Sequence, residues 1–134
     1  MKRFVFRARA ALIGAALAVG LAGAAAAQNQ IGSYSAYIGW DDLHNSNGVR
    51  LSAPWQVLRQ DRANYHRFGI RQAGDDWDPF FASMENRAAM ERMIMNGAIE
   101  PSAAQILMQG GATVFVRIYG QGGVGNSIRV TVSR

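Results

Sequence analysis

The stretch TVFVRIYGQGGVGNSIRVTVS, residues 113–133, decides the fold of this chain. Two runs in it place a β-branched aliphatic side chain at every second position, which is typical of strands with one buried face. These positions are Val114, Val116, Ile118, Ile128, Val130 and Val132. Four glycines within residues 120–126 separate the runs and favour a turn. The stretch therefore predicts an antiparallel β-hairpin.

The glycines from Gly120 to Gly125 also match the G-x-G-x-x-G pattern of dinucleotide-binding proteins. In those proteins a helix follows the glycines, and its N-terminal amides face the pyrophosphate. Here the second alternating run follows instead. We therefore interpret the glycines as the hairpin loop and predict no cofactor.

An earlier alternation, over Tyr34, Ala36, Ile38 and Trp40, predicts a third strand. Between this strand and the hairpin, capping residues and glycines predict about three helices. Their expected bounds are Ser52 to about Arg67, Asp78 or Ser83 to Asn96, and Pro101 to Gly110. This order predicts an α+β fold, in which a small antiparallel sheet of the N-terminal strand and the C-terminal hairpin packs against about three helices.

The first 27 residues predict a secretory signal peptide. Basic residues up to Arg9 precede the apolar run Ala10–Ala22, and small side chains at Ala25–Ala27 favour cleavage before Gln28. The apolar run is about 13 residues, shorter than the roughly 20 that a membrane-spanning helix needs. We expect residues 28–134 to form a single domain in the periplasm or outside a bacterial cell, with no membrane span after removal of the leader.

Charge and cysteine content exclude several classes of protein. The chain carries 14 basic and 9 acidic residues, for a net charge of +5. Four of the basic residues lie in the predicted leader, so the mature domain keeps a net charge of only +1. A dedicated nucleic-acid binder is expected to be more basic, and we predict no nucleic-acid partner. The absence of cysteine excludes disulfides, zinc thiolates and thiol chemistry.

The first predicted helix carries a ridge of Trp55, Arg59, Arg62 and His66, at spacings i, i+4, i+7 and i+11. Arginine forks suit carboxylate and phosphate oxygens, and a tryptophan ring can stack on a sugar or a guanidinium. The ridge therefore predicts a site for an anionic ligand, with Trp77 as a further candidate. The alternative interpretation is a solvated flank whose cations complement the helix dipole.

Asp61 falls inside the apolar arc of the same helix, at about 240° from Trp55 in an arc of about 200° to 300°. A carboxylate in that position is costly unless a partner satisfies it. We expect a buried Asp61 that pairs with an arginine such as Arg117 or caps a loop. A catalytic carboxylate is the alternative.

The loop before the second helix places Asp75, Asp76 and Asp78 within four positions. Such a cluster can attract Ca²⁺, but the EF-hand pattern is absent, and we predict no metal site. We expect Asp78 to cap the second helix and the aromatic residues of the loop to pin it to the core. These aromatic residues are Trp77, Phe80 and Phe81.

These patterns favour a non-catalytic binding or interaction module for an anionic envelope component or a protein partner. HExxH and G-x-S-x-G motifs are absent, and no lysine lies beyond residue 27, which argues against an enzyme. One alternative is a small periplasmic hydrolase that uses His66 or the Asp75–Asp78 cluster. Another is an assembly subunit joined through the hairpin edge or the methionine-rich second helix. The methionines of that helix are Met84, Met90, Met93 and Met95.

Overall fold

A computed structural model describes residues 28–134 of the chain. The predicted signal peptide, residues 1–27, lies outside this part. Three strands form one antiparallel sheet in the order β1-β2-β3. They are β1 (Asn29–Ile38), β2 (Ala112–Gln121) and β3 (Val124–Ser133). The α+β fold, the hairpin and its pairing with the N-terminal strand are thus confirmed.

The inner face of the sheet carries the alternating aliphatic side chains that the sequence indicated. In the central strand, Val114, Val116 and Ile118 are fully buried. Val114 lies opposite Ala36 of β1 on one side and opposite Val132 of β3 on the other. Because side chains alternate along a strand, the residues between them lie on the outer face.

Four helices lie between β1 and β2 and cover the inner face. They are α1 (Pro54–Ala63), α2 (Met84–Ala88), α3 (Met90–Met95) and α4 (Pro101–Gln109). A 3-10 turn at Trp40–Leu43 precedes them, and a π-helical turn at Asn64–Phe68 extends α1. The core between helices and sheet includes Tyr34, Ile38, Val57, Leu58, Phe81, Met90 and Leu107.

The start of α1 differs from the prediction by one residue. Ala53, rather than Ser52, is the N-cap. The Gln56 side chain satisfies both positions, because its Oε1 accepts the backbone N–H groups of Ser52 at 3.0 Å and Ala53 at 3.1 Å. At the other end, Gly69 adopts a left-handed conformation with φ of 68° and ends the helical segment, within two residues of the predicted end at about Arg67.

The second predicted helix consists of two short helices, α2 and α3, which meet at Ala89. Ser83 begins it, because its Oγ accepts the backbone N–H of Asn86 at 3.3 Å. The prediction that Asp78 caps this helix is wrong. Asp78 caps an earlier turn, in which its Oδ2 accepts the backbone N–H of Phe81 at 2.6 Å.

Two tryptophans lie on the surface rather than against the core. Trp40 is 65% exposed, because β1 ends at Ile38 and the 3-10 turn begins at Trp40. Trp77 is 63% exposed and does not pin the loop. Phe81 holds the loop instead, since it is fully buried and makes an edge contact with Tyr34 at 5.8 Å between ring centroids.

Gly120 gives a direct test of the hairpin geometry. A Cβ at Gly120 would lie 1.9 Å from the carbonyl oxygen of Val124, where the register of β2 and β3 shifts. We expect Gly120→Ala to lower the free energy of unfolding by about 2–4 kcal/mol, because backbone must move to admit the methyl group. Urea denaturation checks this.

The matched control is Gly32→Ala, whose Cβ would meet only Ile118 Cδ1 at an ordinary 3.5 Å. We expect that variant to unfold at a urea concentration close to that of the wild type. Equal midpoints for Gly120→Ala and Gly32→Ala would contradict the observed hairpin geometry.

Candidate functional site

Two adjoining cavities lie along the face of α1 that points away from the sheet. The first has a volume of about 330 Å³ and is lined by Ser46, Leu51, Trp55, Gln56, Arg59, Gln60, Ala63, Arg67 and Phe68. The second, of about 490 Å³, is lined by Trp40, Asp41, His44, Asn45, Ser46, Gly48, Gln60, Asn64, Phe68 and Ile70. Three residues line both cavities, and we refer to the pair as the α1 groove. Each volume is in the range of small-molecule sites, roughly 300–1,000 Å³.

The first cavity holds positive charge without an acidic residue among the side chains that line it. Arg59 and Arg67 both contribute guanidinium groups, and neither forms an ion pair with a carboxylate of residues 28–134. Burial lowers the pKa of the neighbouring Arg87, and the charges of Arg67 and Arg59 lower it further. Arg59 and Arg67 therefore each repel the charge of Arg87, and an anion bound beside them would weaken that repulsion.

The second cavity adds aromatic rings to this charge. Trp40 and His44 stack with their ring centroids 3.9 Å apart, and His44 Nδ1 lies 2.7 Å from the Trp40 carbonyl oxygen. Phe68 lies at the junction of the two cavities, is 45% exposed, and has the Arg67 guanidinium 5.0 Å from its ring centroid. A ligand in the α1 groove would therefore meet ring faces next to cations.

Asp42 holds the Trp40–His44 stack in place beside α1. Its Oδ2 accepts the backbone N–H of Gly39 at 2.9 Å, and its Oδ1 accepts the side-chain amide of Asn64 at 3.0 Å. The carboxyl group is fully buried, and burial raises its pKa. These bonds join the 3-10 turn to the π-helical turn, so the two walls of the second cavity are connected through the protein interior.

The predicted ridge of α1 is divided between the groove and the interior. Trp55 and Arg59 line the first cavity. Arg62 is fully buried, and the His66 side chain is only 6% exposed. Helical periodicity places all four side chains on one stripe of α1. The loop that contains Asp76 and Asp78 packs over one half of this stripe and forms hydrogen bonds with Arg62 and His66, so only Trp55 and Arg59 remain in the groove.

Arg62 is the centre of a buried network. Its Nε donates to Asp61 Oδ2 at 2.7 Å, and its Nη1 donates to Asp78 Oδ1 at 2.8 Å and to the Asp76 carbonyl oxygen at 2.9 Å. His66 Nε2 lies 3.0 Å from the same Asp78 oxygen. The guanidinium also lies 3.9 Å from the ring centroid of Tyr34. This network fixes the inner side of α1 to the loop.

Asp61 is buried, as the sequence predicted, but its arginine partner is Arg62 and not Arg117. Burial raises the pKa of Asp61 to about 7, although the charge of Arg62 lowers it. The pKa of Arg62 would fall on burial, yet the charge of Asp61 and the hydrogen bonds to Asp61 and Asp78 raise it above the usual range for arginine. Arg62 therefore stays protonated, and Asp61 is the group of this pair that titrates near neutral pH.

The residues of the hydrolase hypothesis lie outside the α1 groove. Neither His66 nor Asp78 lines either of its cavities. Asp75 and Asp76 accept backbone N–H groups along the free edge of β1, from Tyr37 at 2.9 Å and from Ser35 at 3.0 Å. Within residues 28–134, no group of three or more acidic or histidine side chains is arranged to hold a metal ion.

The other candidate surfaces are also placed by the structure. Trp77 does not line the α1 groove. Of the methionines in α2 and α3, Met90 and Met93 are buried, whereas Met84 and Met95 are 63% and 72% exposed. Half of these side chains therefore belong to the core, and the assembly hypothesis keeps only two exposed positions on these helices.

Arg67 and Phe68 are two of the groove residues that were not predicted from the sequence. The signal was present for Arg67, because Gln56, Gln60, Ala63 and Arg67 repeat at spacings i, i+4, i+7 and i+11. At about 100° per residue, this stripe lies opposite the apolar arc of α1, where a solvent-facing surface is expected. The uncharged glutamines made the stripe less conspicuous than the one with Arg62 and His66. Phe68 instead falls at about 220° from Trp55, inside the apolar arc, which predicts burial.

Comparison of the chain with protein-family models, with curated proteins and with solved structures finds no match in any of the three. Among the helices of residues 28–134, none has the length and apolar character that crossing a bilayer requires. The function is therefore argued from the site itself.

Proposed function

We propose that this protein is a non-catalytic binding module that holds a small anionic ligand with a planar ring in the α1 groove. The observation that supports this most strongly is the pair of arginines, Arg59 and Arg67, in a cavity whose lining contains no acidic side chain. The same pair favours a carboxylate or phosphate over an uncharged group, since guanidinium forks bind these oxyanions through two parallel hydrogen bonds.

The other side chains of the α1 groove match the ring and the uncharged polar groups of such a ligand. Gln56 and Gln60 offer amide donors and acceptors on the same helix face. Trp55 and Phe68 provide apolar and aromatic surface within the first cavity, next to the cations. An anionic group between the arginines would therefore place its attached ring against these side chains. The periplasmic or extracellular location of the module is part of the same proposal and rests on the sequence of residues 1–27.

Isothermal titration calorimetry with 1-naphthyl phosphate, and with uncharged 1-naphthol, tests the proposal. We expect the wild type to bind the phosphate and to bind the alcohol at least tenfold more weakly. In the double variant Arg59→Gln/Arg67→Gln, the affinity for the phosphate should fall by roughly 150-fold or more, since each charged hydrogen bond contributes about 1.5–3 kcal/mol and the variant removes at least two of them.

The matched control is Arg92→Gln/Arg134→Gln, which removes the same charge from two exposed residues outside the groove. We expect its affinity to stay within twofold of the wild type. Equal losses of affinity in the two double variants would mean that binding depends on the net charge of the protein and not on the α1 groove. That result, or a wild type that binds neither compound, would overturn the proposal.

A further inference from the structure

The outer face of the sheet is an open surface on the side opposite the helices. The helices pack against the inner face, and the residues of β2 and β3 that point to the outer face are exposed or half-buried. Tyr37 of β1 and Phe115 of β2 are 38% and 40% exposed. Neighbouring aromatic rings that are exposed on a sheet face are costly to leave in water, which marks this face as a candidate interaction surface.

The charges on this face are of one sign. Arg117 of β2 and Arg129 of β3 lie directly opposite each other in the strand register, on the same side of the sheet. Like charges in that arrangement destabilise a sheet. Neither arginine forms an ion pair with a carboxylate of residues 28–134, and Arg117 Nε makes no hydrogen bond there. Such an unfavourable pair of like charges is expected at a binding site, where the ligand supplies the negative charge.

The surroundings of the two arginines favour a sugar chain as the source of that charge. Phe115, Arg117 and Tyr119 follow one another on the central strand at every second residue, which spaces them about 7 Å apart. The Arg117 guanidinium lies 5.8 Å from the Phe115 ring centroid. Rings next to a guanidinium match the alternating C–H faces and carboxylates of a polymer of uronic acids.

At one edge of this face, a cavity reaches between β3 and the end of α3 to the core side chains of Met93 and Ile128. Tyr119, Ser127 and Arg129 line this cavity of about 380 Å³, to which Asn96 and Gly97 contribute from the end of α3. Arg129 therefore lines this cavity, whereas Arg117 does not. The cavity has room for one sugar unit, with hydroxyl and amide groups available as hydrogen-bond partners.

We propose that the outer sheet face is a second binding surface, independent of the α1 groove, and that it binds an acidic polysaccharide whose carboxylates lie between Arg117 and Arg129. A second copy of the chain fits less well, since face-to-face pairing would bring two arginine pairs together. A nucleic acid fits less well too, because the face carries only these two cations.

Affinity electrophoresis through gels that contain polygalacturonate tests this proposal, with neutral dextran as the reference polymer. We expect polygalacturonate, and not dextran, to retard the wild type. Arg117→Gln/Arg129→Gln should weaken this binding at least tenfold and should leave the urea midpoint unchanged or higher, because it removes a repulsive pair. Phe115→Ser should weaken binding several-fold.

Arg59→Gln/Arg67→Gln serves as the control, since it removes two charges and leaves the outer face intact. We expect it to bind polygalacturonate as the wild type does. Equal weakening by both pairs, no retardation of the wild type, or tighter binding to a thymidine 20-mer than to polygalacturonate would each overturn the proposal. If the outer sheet face does not bind polygalacturonate, the expected binding of 1-naphthyl phosphate in the α1 groove is unaffected, so the two sites are tested separately.

Discussion

Replacement of Arg62 by methionine is expected to lower the free energy of unfolding by about 3–5 kcal/mol, measured by urea denaturation at pH 7. Methionine fills a similar space, so the loss does not arise from a cavity. It arises because Asp61 and Asp78, each 1% exposed, lose the cation that lies between them. Buried carboxylates without a partner are among the most destabilising features of a core.

Arg92→Met is the matched control, because Arg92 is an exposed residue of α3. We expect its unfolding free energy to stay within about 0.5 kcal/mol of the wild type. Adding Asp61→Asn to the Arg62→Met variant should recover part of the loss, since asparagine does not have to take up a proton to remain buried without the cation. A loss below about 1 kcal/mol for Arg62→Met would show that the network does not hold α1 in place.

Asp61→Asn on its own is expected to stabilise the protein at pH 8, by at most about 4 kcal/mol. Burial raises the pKa of Asp61 to about 7 from its ordinary value of 3.8. Between these two values the folded state binds the proton more tightly than the unfolded state. The stability that this site contributes is therefore complete below about pH 4 and is lost as the pH rises to 7. Asparagine resembles the protonated side chain and does not incur this loss.

The measurement is a series of urea denaturations of wild type and Asp61→Asn between pH 4 and pH 8. Other titrating groups are common to both proteins and cancel in the difference. The advantage of the variant should be near zero at pH 4 and should grow by at most about 1.4 kcal/mol per pH unit. A difference that stays constant with pH, or a variant that is less stable at pH 8, would contradict the assignment of Asp61 as the titrating group.

The two sides of α1 have different roles. The inner side of α1 is held by the network of Arg62, Asp61 and Asp78, and its outer side carries Arg59 in the groove. Because the loop and Asp42 fix α1 and the π-helical turn from within, the walls of the groove are positioned without a contribution from the ligand. A site that is formed in advance loses less affinity to ordering on binding.

The sheet could be predicted from the sequence because its signals are local. Alternation in residues 113–133 and around Tyr34 sets which side chains face inward, and the glycines set where the hairpin turns. The burial of Asp61 was likewise readable from the phase of a single helix. Each of these inferences needs only the periodicity of one element.

The site was only partly predictable, because its form depends on which elements lie next to each other. The phase of α1 places Arg62 nearer the apolar arc than Arg59, but it does not predict that one arginine is fully buried and the other lines the groove. The separation is made by Asp78, which is distant in sequence and reaches Arg62 at 2.8 Å only after the loop packs. The Trp40–His44 stack escaped prediction for the same reason, since it depends on where β1 ends.

The most direct test of the central claim is a nuclear magnetic resonance titration of the folded chain with 1-naphthyl phosphate. The signals to follow are the arginine Nε–H groups and the tryptophan indole N–H groups. The claim predicts shifts at Arg59, Arg67 and Trp55, with Arg62 and Trp77 unchanged. Saturable shifts centred on Trp77 or on the outer sheet face, with Arg59 and Arg67 unmoved, would contradict it.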